Sequence, residues 1–246
     1  KRLLAYLKKK DLAKYQEVYT EWAQNEKVAL EVAFGASFAG VRSLACMKHV
    51  GLNVASDPVM CLSYVGVKGG MVIVSADDPG PISSQTEQDT RTFAGFSKLP
   101  CLDPSTPFEA FIMVQKAFKI SEKYNTPVLL RPTTRVDHAY ESMEMPELTL
   151  AEKSEYFEKD SNRWVIFPRT SFMNHKRIFK RNEKILPEVF SKSELNKTEN
   201  KSSKGLSFAA GGISYCYLKE ALSILQNDYP ELKDASILKI GTPYPF

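Results

Sequence analysis

A single carboxylate heads a nearly bare helical stripe in the stretch Glu21 to Asn53. Glu26, Ala29, Ala33, Ala36 and Gly40 recur at alternating steps of three and four residues, and that spacing predicts a helix with all five on one side. Small residues there would admit another backbone or a flat ligand, with Glu26 as the functional group at the leading end. Two readings fit Glu26: an acid in the first turn, favoured by exposed N–H groups and the helix dipole, or a reactive carboxyl held between packed elements. Further along, His49 is followed by Gly51 and Asn53, and Asp77, Asp78, Gln85 and Arg91 cluster behind an apolar run. His49 could be a hydrogen-bonded structural ring, and Arg91 has Glu87 and Asp89 close by for a surface ion pair. The paired aspartates suit a turn or a helix cap as well as a magnesium ion, and no metal is assigned to them.

The elements that must position these groups alternate. Ser43 to Met47 predicts a short strand, Val54 to Tyr64 a helix, Met71 to Ser75 a buried strand and Ser84 to Lys98 a polar helix. Pro100 to Leu102 predicts a strand, Pro107 to Tyr124 an amphipathic helix capped by Ser105 or Thr106, and Pro127 to Thr133 a last buried strand. This rhythm argues for an α/β fold, a parallel sheet flanked by helices. Ligands bind such sheets outside the carboxyl ends of the strands, which selects the loops Lys48 to Asn53, Ala76 to Gln85 and Thr134 to His138. No strand is expected before the first long helix, although Arg2 to Lys10 reads as the end of a helix; the chain is expected to begin partway into a domain.

Residues 139–204 have no sheet-forming rhythm and are read as a charged linker and helical connection. Within them RWVIFPRT is expected to be extended, Asn174 to Ser191 helical, and the polar run SKSELNKTENKSSK a linker or mobile loop. A second unit opens at Gly205, with GLSFAAGG, ISYCYLKEALSIL and ASILKIG reading as strand with glycine turn, helix and strand.

Composition limits the function. A hydrophobic content of 43% supports a core. No run reaches the roughly 18 to 20 apolar residues of a membrane span, and KRLLAYLKKK lacks the apolar region of a secretory signal. A cytoplasmic chain is expected. Cys46, Cys61, Cys101 and Cys216 form no CxxC pair and read as reduced core residues, and the three histidines are scattered, which argues against a protein-only metal site. The net charge of +4 arises in residues 151–204, which hold 13 Lys or Arg against 8 Asp or Glu. A solvated connecting segment explains that excess more simply than nucleic-acid binding.

The motifs MKHVGLN, VASDP, GVKGG, MVIVSADDPG, SSQTEQDTR and NTPVLLRPTTRVDH, followed by GGISYCYLKEAL and ILKIGTPYPF, occur in order. Together they resemble the α subunits of indolepyruvate ferredoxin oxidoreductases, thiamine-diphosphate enzymes of the 2-oxoacid:ferredoxin oxidoreductase superfamily. The resemblance implies that residues 1–138 are the pyrimidine-binding domain, with its first strand missing, and that 205–246 begin a transketolase C-terminal-like domain. Glu26 would be the carboxyl that hydrogen-bonds N1′ of the aminopyrimidine and promotes loss of the thiazolium C2 proton. His49 would lie near the reacting ring, Gly51 and Asn53 would line the cofactor, and Arg91 and Gln85 would receive the 2-oxoacid, the guanidinium gripping its carboxylate.

The same resemblance implies oxidative decarboxylation of aryl 2-oxoacids to acyl-CoA, with CoA and ferredoxin as acceptors and a small β subunit as partner in an oligomer. The diphosphate and Mg2+ would be held by a domain carrying a GDG motif, and electrons carried by 4Fe-4S clusters on CxxCxxCxxxCP motifs; neither motif is in this sequence. This segment alone is therefore expected to be inactive. A pyruvate- or 2-oxoglutarate-type oxidoreductase and a non-catalytic scaffold are the competing readings.

Overall fold

The computed structural model describes residues 18–144, 156–200 and 205–246. The helix expected at Arg2 to Lys10 lies outside them. Four strands, Ser43–Lys48 (β1), Met71–Ala76 (β2), Cys101–Leu102 (β3) and Val128–Leu130 (β4), form a sheet in the order β1-β2-β4-β3, every pair parallel. Helices Glu26–Phe38 (α1), His49–Val54 (α2), Ser56–Val65 (α3), Thr90–Ser97 (α4), Pro107–Tyr124 (α5) and Thr134–Asp137 (α6) are interleaved with them.

Alternation along the strands explains how both faces are covered. Met71 and Ile73 pack with Leu30, Leu52 and Leu62 on one side, and Val72 packs with Met113, Ala117 and Leu130 on the other. Each fully buried Val, Leu, Ile or Met side chain among these stabilises the fold by roughly 1.5–3 kcal/mol. Helix α5 is the best specified locally: Thr106 accepts from the Glu109 N–H, Pro107 occupies the first turn, and Asn125 ends it in the left-handed region.

Several expectations shift. The α1 face that packs inward is centred on Leu30 and Ser37, beside rather than along the small-residue stripe, and Ala29 and Ala36 stay partly open. The stretch after β1 is helical (α2), not a loop. The expected helix over Ser84 to Lys98 shrinks to α4, because the backbone of Ile82 to Ser84 donates to the Asp78 carboxylate and Asp89 caps the later start. Cys46 is exposed, since β1 is an edge strand whose Leu44–Cys46 side is left open.

Beyond residue 156, Ser161–Trp164 (α7) and Pro168–Lys180 (α8) take up much of the stretch expected to be extended. Pro168 starts α8, where a missing N–H costs nothing. A π turn, Arg181–Ile185, carries α8 into Leu186–Ser191 (α9). The polar run that follows contains a strand, Lys197–Glu199 (β5), so it is not all loop.

That strand is antiparallel to Ser236–Ile240 (β7), which pairs in parallel with Ser207–Gly211 (β6) in a sheet ordered β5-β7-β6. Helix Gly212–Leu225 (α10) connects β6 towards β7. The two sheets are joined by the Cys101 N–H donating to Tyr244 O at 2.8 Å and the Asp103 N–H to Gly241 O at 2.9 Å. The Lys239 ammonium pairs with Glu109, whose second oxygen accepts from the Ser105 N–H at 2.7 Å. Among the described residues no helix is long and apolar enough to cross a membrane.

Candidate functional site

All four parallel strands deliver their carboxyl ends to one edge. The first residue past each is titratable or charged: His49 after β1, Asp77 after β2, Asp103 after β3 and Arg131 after β4. Such an edge is where this class of sheet binds ligands.

Three of these four form a buried cluster. Arg131 donates from Nε to Asp77 Oδ2 at 2.7 Å and from Nη1 to the Asp103 oxygens at 3.2 and 3.3 Å. Asp77 also accepts from the Thr90 N–H at 2.9 Å and from its hydroxyl. One guanidinium thus serves two carboxylates, and Asp103 holds the longer bonds. Burial, opposed by Arg131 and reinforced by Asp77, pushes the Asp103 carboxyl up to about 6. Gly212 sits against this carboxylate: a Cβ there would come within 2.5 Å of Asp103 Oδ1.

The Asp103 shift has a pH consequence. Its folded pKa lies above the unfolded value near 3.9, so the folded chain holds the proton across that interval. Asp103's contribution is then fully present below about pH 4 and declines as pH rises through about 6, by on the order of 3 kcal/mol. Urea unfolding of Asp103→Asn between pH 4 and 7 should lack this decline, and slopes identical to the native chain would overturn the assignment.

Glu26 and Gly51 meet directly. A Cβ on Gly51 would lie 2.4 Å from Glu26 Cγ and 2.8 Å from both Cδ and Oε1, so any larger residue there would displace the Glu26 side chain from this position. The sequence suggests a loop glycine at this position; its role here is close approach inside a helix. The Glu26 side chain is half-buried in the first turn of α1, capped by Asn25. Among the described residues its carboxylate has no hydrogen-bond or ion-pair partner.

The other expected site residues are distributed along the same edge. His49 is 2% exposed, with Nε2 2.9 Å from Thr86 O and Nδ1 3.3 Å from Ala76 O. Arg91 is engaged with Asp89, Nε lying 2.9 and 3.1 Å from its two oxygens and Nη2 2.8 Å from Oδ2. Gln85 and Asn53 are exposed. Asp78 is fully buried and accepts from the N–H groups of Ser83, Ser84 and Ile82 at 2.8, 2.9 and 3.1 Å, and from the Thr134 hydroxyl at 2.9 Å. The Ser83 N–H above all holds its carboxyl below the usual carboxylate range.

The chain as a whole has counterparts among known proteins. A model of pyruvate flavodoxin/ferredoxin oxidoreductases, thiamine diphosphate-binding, matches residues 4–204. The chain belongs to this family. Within it, the indolepyruvate oxidoreductase subunit IorA of Pyrococcus abyssi is 45% identical over 93% of the chain, and that of Methanothermobacter marburgensis 43% over 96%. The chain spans only 35% and 37% of these two relatives' lengths. In fold, this family member matches 2-oxoglutarate:ferredoxin oxidoreductase from Magnetococcus marinus with a TM-score of 0.69 at 14% identity, over the whole chain and 49% of that one. A split-gene transketolase follows at 0.54, 16% identity, 96% of this chain and 61% of its own. The fold is thus the pyrimidine-binding α/β fold of thiamine-diphosphate enzymes.

The expected site residues do not include Arg131 and Asp103. A signal for them exists in the sequence: each is the first charged residue after an apolar strand, in VLLR and CLD.

Proposed function

We propose that this chain supplies the aminopyrimidine-facing half of the site in a thiamine-diphosphate-dependent oxidoreductase, which oxidatively decarboxylates aryl 2-oxoacids of the indolepyruvate type to acyl-CoA, with ferredoxin as electron acceptor. The observation that carries this reading is the Glu26 carboxyl lying on Gly51 without a partner of its own among the described residues. A carboxyl so placed fits a ring nitrogen of an aminopyrimidine. When bound, thiamine diphosphate supplies a carbon nucleophile and an electron sink for decarboxylation.

The chain's own residues then have separate tasks. Glu26 hydrogen-bonds the pyrimidine and stabilises its proton-accepting form, and Gly51 keeps α2 close enough to hold the Glu26 side chain in place. Asn53, exposed near the end of α2, contacts the cofactor's edge. Arg91 and Gln85 orient the 2-oxoacid, with Arg91 sharing its fork between Asp89 and the substrate carboxylate. Diphosphate, Mg2+ and 4Fe-4S clusters belong to other parts of the enzyme, and a small β subunit is its partner. The aryl preference is supported by the names of the relatives.

The test is a substrate panel on the full-length protein with its partner subunit, thiamine diphosphate, Mg2+, CoA and ferredoxin. Indolepyruvate and phenylpyruvate should give kcat/KM at least tenfold above pyruvate and 2-oxoglutarate. Equal or reversed values would remove the aryl assignment, and no turnover on any 2-oxoacid would remove the enzyme reading.

A further inference from the structure

Residues 79–89, between β2 and α4, contain neither helix nor strand, yet two buried polar side chains anchor them. Asp78, with both carboxylate oxygens engaged, gathers the N–H groups of Ile82, Ser83 and Ser84 and ties them to Thr134 at the end of the sheet. His49 meets the Thr86 carbonyl at 2.9 Å through Nε2, and its Nδ1 faces Ala76 O at the end of β2. Gln85 lies between the two anchor points with its side chain exposed, and the segment leads into Asp89 and Arg91.

We propose that His49 and Asp78 are positioning residues, a two-point clamp that fixes this loop so that Gln85 and Arg91 meet the carboxylate of the 2-oxoacid. The inference rests on the substrate role proposed above for those two residues. Both ring nitrogens of His49 face backbone carbonyls, so the ring works through the loop and not on the reacting atoms. His49 is also two residues before Gly51, on which Glu26 rests. One short helix therefore serves both the cofactor carboxyl and the substrate loop. Buried hydrogen bonds of this kind hold a geometry that a free loop of this length would sample only rarely.

The test uses the full-length holoenzyme with its partner subunit and compares His49→Ala, His49→Gln, Asp78→Ala and Arg91→Ala. Amide hydrogen exchange at Ile82 to Thr86 should accelerate at least tenfold in His49→Ala and in Asp78→Ala, which leaves no oxygen to accept from Ile82, Ser83 and Ser84. KM for the 2-oxoacid should rise at least tenfold in His49→Ala, while exchange of the cofactor C2 proton without substrate stays within threefold of native. His49→Gln, whose amide can still donate to the Thr86 carbonyl, should return KM to within threefold.

Unchanged amide exchange in both clamp variants would overturn the proposal. So would a tenfold loss of C2 exchange and kcat at constant KM, which would make His49 a catalytic residue. If Arg91→Ala leaves KM unchanged, the substrate reading of the loop fails, and the clamp loses its purpose even where the amides exchange faster.

Discussion

Glu26→Gln in the full-length enzyme is expected to slow exchange of the thiamine C2 proton by roughly 10²–10⁴-fold, the usual weight of a positioned acid or base. Overall stability should be nearly untouched, within about 0.5 kcal/mol. The two halves of this expectation come from one observation. The carboxylate makes no hydrogen bond or ion pair with any described residue, so an isosteric amide takes nothing from the fold, whereas in the proposed function the cofactor loses the carboxyl that hydrogen-bonds its pyrimidine. Cofactor affinity should change far less than the exchange rate, because the proposed function leaves diphosphate and magnesium to other parts of the enzyme. Quenched-flow NMR of the C2 proton together with titration calorimetry separates the two. An exchange rate indifferent to Glu26 would falsify the central assignment, and a large drop in melting temperature would show that Glu26 is structural instead.

Arg131→Met should have the opposite signature. Arg131 is the cation shared by Asp77 and Asp103, all three side chains being no more than 6% exposed. Removing it strands two carboxylates in the interior, and breaking a buried ion cluster from one side costs about 3–5 kcal/mol. In a chain of this size that corresponds to a fall in melting temperature of roughly 10 °C. The triple variant Asp77→Asn, Asp103→Asn, Arg131→Met should recover much of the loss, since no charge is then left buried. Thermal unfolding and urea titration of the three proteins decide it; a single variant within about 1 kcal/mol of native would show that water or rearrangement reaches the cluster.

The two sites differ in how far the sequence discloses them. Helix α5 is readable from Thr106, Pro107 and Asn125 because capping is local, and β2 and β4 because MVIVSA and VLL are short apolar runs between turn residues. The helix expected over Ser84 to Lys98 fails at its first half because Ile82 to Ser84 spend their N–H groups on Asp78. No local propensity encodes the anchoring of that loop to Thr134 and His49, 56 and 37 positions away along the chain. Glu26 is legible as a candidate from its bare stripe and the family motifs, but its seat on Gly51 is not. A glycine three residues past a strand reads as a turn, and only the packing of α1 on α2 reveals that it makes room. Arg131 and Asp103 belong to the same class: each looks ordinary alone, and their meaning appears when β3 and β4 become neighbours.

That neighbourhood also settles a question the hydrophobic pattern leaves open. Strands β2, β3 and β4 are apolar on both faces, so sliding one past another by a residue would still bury greasy side chains on each side. The slip would, however, carry Arg131 away from Asp77 or Asp103 and leave a charge unanswered in the interior. Because the three ions come from three strands and each stands immediately past its strand's end, they can all be matched in only one alignment. The cluster acts as an alignment key for the sheet, discriminating against misthreaded pairings of strands that are otherwise interchangeable in composition.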